Sequence, residues 1–125
     1  MKTKEVNIEG VGSVTVWKMN NGFRSDLSDA AIKVNTEVKG RENIEVSMGK
    51  SRIFWQVFGI YESQVLGINK PTDLDMGLTD AEIQFRLRKV RTLSPEVSSK
   101  IYDAIVELNT ADDLTDKESD ALKKI

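Results

Sequence analysis

The densest cationic run in the chain is "RLRKVR", which puts Arg86, Arg88, Lys89 and Arg91 within six residues. Four cations so close could grip phosphates or an acidic protein surface. On a helix they could equally form a solvated face whose charges suit the negative C-terminal end of the dipole. Phe85 is the only aromatic beside them, and the chain as a whole carries 18 basic against 20 acidic side chains, net −2. That balance argues against nucleic acid as the main partner and leaves the run as a candidate protein contact. The second candidate is Trp55, inside the aromatic cluster Phe54, Trp55, Phe58 and Tyr61. Positions 54, 58 and 61 share one helical face and read as core. Trp55 stands off that stripe, as an exposed anchor or a second packing surface.

Other chemistries fail on spacing. "GVGSV" holds G-x-G after a strand, but Thr15 occupies the place of the third small residue of a dinucleotide fingerprint, and no helix opens there. "DLDMGLTDAE" offers Asp73, Asp75, Asp80 and Glu82. Counted from Asp73, Gly77 is fifth and Glu82 tenth, where a calcium loop needs sixth and twelfth. "TADDLTDKESD" gathers Asp112, Asp113, Asp116, Glu118 and Asp120, which reads as a solvated acidic tail. Histidine and cysteine are absent. This removes the commonest general base, the commonest metal ligand and every thiolate reaction. No catalytic residue, metal site or cofactor is expected. The chain should act by presenting a surface to another macromolecule.

The elements that position these residues follow from periodicity. Val6 and Ile8, then Val14 and Val16, alternate around Gly10-Val11-Gly12 as a β-hairpin. Asn20 or Asn21 can cap a helix carrying Phe23, Leu27, Ala30, Ala31 and Val34. Val34, Thr36 and Val38, then Ile44, Val46 and Met48, alternate on either side of Lys39–Asn43 and suggest a second hairpin. On that reading the first helix ends near Ile32, with Ile32–Val34 assignable to either state. Ile53, Phe54, Val57, Phe58, Tyr61 and Val65 mark a core helix from about Gly49 to Leu66, in which Gly59 signals a kink or a close contact. A linker at 67–78 holds Gly67, Pro71 and Gly77. "TDAE" at 79–82 is a capping box opening a helix with Ile83, Leu87 and Val90 on one stripe. Ser94 and Pro95 open another, with Val97, Ile101, Ala104, Ile105 and Leu108 expected to pack on the chain's own aromatic helix. "TDKE" at 115–118 suggests a short last helix.

The expected architecture is α+β, with two short β-hairpins, a central core helix and a C-terminal helical portion in a single domain spanning 1–125. Residues 1–49 form its hairpin–helix–hairpin part, 50–109 its helical part, and 110–125 an acidic C-terminal tail. The most apolar stretch, "IFWQVFGIYESQVLGI", is interrupted by Gln56, Glu62, Ser63 and Gln64 and is too polar to span a membrane. The charged opening "MKTKEVNIEG" has no signal-peptide core, so a cytoplasmic location is expected.

The order of these parts resembles the tail assembly chaperones of tailed phages. In that family a hairpin of the form I-x-G-x-G-x-V-x-V runs into K-L-(S/T/N)-x-G-E-R-x-x-L. The counterparts here are Ile8, Gly10, Gly12, Val14, Val16, Lys18, Met19, Asn20, Gly22, Phe23, Arg24 and Leu27, with Phe23 in place of the glutamate. "LSPEVSSKIYDAIVELN" is similar to the family's C-terminal L-x-P-E-x-x-x-x-I-x-x-x-I-x-x-L-N, through Leu93, Pro95, Glu96, Ile101, Ile105, Leu108 and Asn109. The resemblance implies a non-enzymatic phage or prophage protein of the host cytoplasm. Such a protein coats a long helical tape measure protein, keeps it soluble and delivers it to tail tube protein for assembly. Self-association is left open. The alternatives are a tail or head–tail connector protein that stays in the virion, and a small regulatory or nucleic-acid-binding module.

Overall fold

The computed structural model describes the backbone of residues 1–36 and 41–123 and the side chains of residues 1–30 and 50–110. The elements run β1 (Thr3–Ile8), β2 (Gly12–Trp17), α1 (Asn21–Thr36), α2 (Arg41–Gly59), β3 (Ile60–Glu62), α3 (Asp80–Arg91) and α4 (Pro95–Lys123). The class is α+β: a three-stranded antiparallel sheet in the order β1-β2-β3, with α4 and α2 packed against it and α1 and α3 packed on α2.

The first hairpin forms as its alternation demands. β1 pairs with β2 from Thr3↔Trp17 to Ile8↔Gly12, and Gly10 and Gly12 take φ of 80° and 129° to close the turn. Ile8, Val14 and Val16 point into the core, while Trp17 and Met19 are also buried, so the end of β2 is covered on both faces. The Asn20 side chain accepts from the Phe23 amide at 2.9 Å and caps α1.

The second hairpin is not there. Val34 and Thr36 lie in α1, and Ile44, Val46 and Met48 lie in α2; Val38 falls outside the described residues. Ile32–Val34 is helical. The physical reason is that three-residue alternations are too short to exclude helical spacing: 44 and 48 are also one turn apart. The core helix therefore begins near Arg41 and not Gly49, and it stops at Gly59 and not Leu66. Ile60–Glu62 then leaves the helical path and pairs with β2 through Val16↔Ile60 and Thr15↔Glu62. Gly59 is a close contact and not a kink marker. A Cβ there would come within 2.9 Å of Ile105 Cδ1 and closer still to its Cγ2, so its absence lets α4 press on the end of α2.

The 67–78 linker connects β3 to α3 and is tied down, with Ile68 buried and bridged to Ser63. The Thr79 capping box is present: Glu82 N–H donates to Thr79 Oγ1 at 3.1 Å and Thr79 N–H to Glu82 Oε1 at 3.0 Å. α4 buries Ile101 and Ile105 fully against α2, β1 and β2. Its backbone runs unbroken through Thr115, so 115–118 starts no separate helix; the side chains of the acidic tail lie outside the described set.

Candidate partner-binding surface

The expected contact residues separate into three environments. Arg86 does not belong to a cationic face at all. It is 2% exposed, and its guanidinium donates to four backbone carbonyls: Val57, Ile60, Tyr61 at 3.1 Å and Asn69 at 2.8 Å. These acceptors lie at the end of α2, in β3 and in the loop after it, so one side chain ties α3 to both. Burial lowers its pKa to about 10, with the Glu82 carboxylate acting the other way, and it stays charged at neutral pH. The physical reason for the correction is position: residue 86 shares the inward stripe with Ile83 and Val90, and the end of α2 offers carbonyls that need a donor. Arg88 and Arg91 are exposed, and Lys89 lies over the Phe85 ring at 5.4 Å. Three cations therefore remain on the outside of α3.

Trp55 is partly buried and is a second packing surface. Its ring meets Tyr102 of α4 edge-on at 6.2 Å, and the Arg24 guanidinium lies 5.4 Å from its centroid. Arg52 lies 5.0 Å from the Tyr102 ring. None of the α3 cations joins this row among the described contacts.

A residue that sequence reasoning did not single out as a site organises the junction beside Trp55. Asn109 is fully buried. Its Nδ2 donates to the carbonyls of Trp17 at 3.0 Å and Ile105 at 2.8 Å, and its Oδ1 accepts from the Met19 amide at 2.8 Å. Arg24 donates to the Asn109 carbonyl at 3.3 Å. The chain leaving β2 keeps one backbone bond, from Lys18 N–H to the Lys2 carbonyl at 2.8 Å, and the Asn109 amide partners the Trp17 carbonyl and the Met19 amide on either side of it. The sequence marked it only as a polar residue closing an apolar stripe and as the last residue of the C-terminal segment in the resemblance. A second buried amide, Gln56, links α2 to α4 by donating to Ser98 Oγ at 2.7 Å.

The surface also carries an apolar concavity of about 440 Å³ between α1, α2 and the start of α3. Phe54, Phe58, Leu78 and Ile83 form its floor, and Asp26 and Asp29 stand on one side. Among the described residues, no group of three or more acidic side chains is placed to hold a metal ion. No described helix is long and apolar enough to cross a membrane. No protein-family model, curated protein or solved structure matches the chain.

Proposed function

We propose that this chain is a tail assembly chaperone of a tailed phage or prophage. In this reading it catalyses no reaction. It works in the host cytoplasm, holding the tape measure protein soluble and extended until tail tube protein polymerises around it. The observation that carries the reading is a contact. The two segments that resemble the family, 8–27 and 93–109, meet at Asn109, which binds Trp17 and Met19 while Arg24 reaches back to its carbonyl. Letters scattered through the chain thus serve one packing junction, which makes a shared fold the simpler account of their order and separation. Aromatic and apolar surface on α2, with charged residues at its margins, suits recognition of a helix by a groove. The internal position of Arg86 reduces the cationic run and weighs against the nucleic-acid module.

Mass spectrometry of purified particles separates this reading from a connector protein. A chaperone is present in the assembling lysate and missing from finished particles. Recovery at stoichiometric amounts in the particle would overturn the reading and favour the connector.

A further inference from the structure

We infer that the concavity between α1, α2 and the start of α3 is the docking groove for a cationic amphipathic helix of another protein. The inference rests on the proposed function, and it names the chemistry of the client segment that the chain would hold.

Met76 is the first observation. It is 83% exposed, more than any other large hydrophobic side chain among the described residues. It is nonetheless held in place. Asp73 Oδ1 accepts from the amides of Asp75 at 2.9 Å and Met76 at 3.0 Å, and the Asp73 carbonyl accepts from Gly77 at 3.1 Å. Asn20 Nδ2 donates to the Leu74 carbonyl at 2.9 Å and pins the same turn to the cap of α1. Gly77, at φ 88°, brings the backbone so near α1 that a Cβ would lie 2.8 Å from Asp26 Oδ2. A turn fastened at both ends therefore presents an unbranched, polarisable side chain to solvent at the lip of an apolar floor. Methionine in such a place adapts to varied apolar partners.

The second observation is charge. Asp26 and Asp29 are one turn apart on α1, both exposed, and neither forms an ion pair with a described residue. Apolar side chains of a docked helix, at i, i+3 or i+4, would fill the floor beside Phe54 and Ile83. Lysine or arginine next to that stripe would meet the two carboxylates. An acidic-flanked helix would place like charges together, so the groove selects by sign as well as by shape.

The test uses the full chain and two labelled peptides of about 20 residues. They share one leucine stripe and differ only in having lysine or glutamate at the polar positions. Fluorescence anisotropy should show saturable binding of the lysine peptide and at least roughly tenfold weaker binding of the glutamate peptide. Met76→Asp should weaken the lysine peptide roughly tenfold. Asp29→Lys leaves Asp26 opposed by a cation and should abolish the preference between the peptides. Both sites are exposed, so urea midpoints should stay at the wild-type value. Equal binding of the two peptides, no binding of either, or unchanged affinity in Met76→Asp overturns the groove. So does self-association that Met76→Asp abolishes, which would assign the face to a second copy. If the Met76→Asp chain still keeps the client soluble, the groove falls and the chaperone reading stands. If the lysine peptide binds as described while the client precipitates, the groove stands and the chaperone reading falls.

Discussion

Arg86 illustrates how one side chain can be misplaced by composition and explained by geometry. Four carbonyls at different distances and angles suit a planar fork with several donors; a lysine ammonium is a single point and cannot reach them together. Arg86→Lys should therefore lower the free energy of unfolding by about 2–4 kcal/mol, read from urea titration. Were Arg86 an exposed interface cation, the same change would stay within about 0.5 kcal/mol of wild type. Nothing local in "RLRKVR" distinguishes Arg86 from its neighbours except that it shares a stripe with Ile83 and Val90. The four acceptors come from residues 57–69, and no reading confined to the helix could supply them. The bonds of Asn109 to Trp17 and Met19 were hidden in the same way, because those two partners lie about 90 residues earlier.

At the scale of elements, what was legible was local. Alternation with a glycine turn produced β1 and β2, an asparagine cap opened α1, and the Thr79 box opened α3. β3 was not legible: three residues acquire strand character only from β2 beside them, and "IYE" follows an apolar helix without a break in hydrophobicity. The second hairpin was a wrong choice between two periods that short segments satisfy equally. The aromatic helix was rightly placed at the core, with its ends misjudged on both sides. The α3 start makes a pH prediction. Burial pushes the Glu82 carboxyl up, but hydrogen bonds from Thr79 and Thr72 outweigh it and hold the pKa below the ordinary 4.5. A carboxylate with a lowered folded pKa stabilises above its unfolded value, and that stability disappears as pH falls through the folded value. Wild type should therefore exceed Glu82→Gln in urea midpoint at neutral pH. The gap should close below about pH 4.5. A gap independent of pH would contradict the assignment.

For the whole molecule, the arrangement separates a structural half from a presenting half. The sheet, the Asn109 junction and the Arg86 clasp use their polar groups internally. The concavity between α1, α2 and the start of α3 is bordered by exposed Met76, Asp26 and Asp29. Apolar surface rimmed by charge is the kind at which partners dock. Composition removes imidazole and thiol chemistry and says nothing of where a partner would sit. The concavity proposed as a docking face was not legible, because it is assembled from three helices and a turn that are distant in sequence. For the proposed chaperone, the most direct measurement is co-expression of the chain with a tape measure protein encoded beside it, followed by sedimentation. The account predicts that the client stays in the soluble fraction and co-purifies with the chain, and precipitates when the chain is omitted. A client that is equally soluble alone, or that precipitates in the chain's presence, would contradict it.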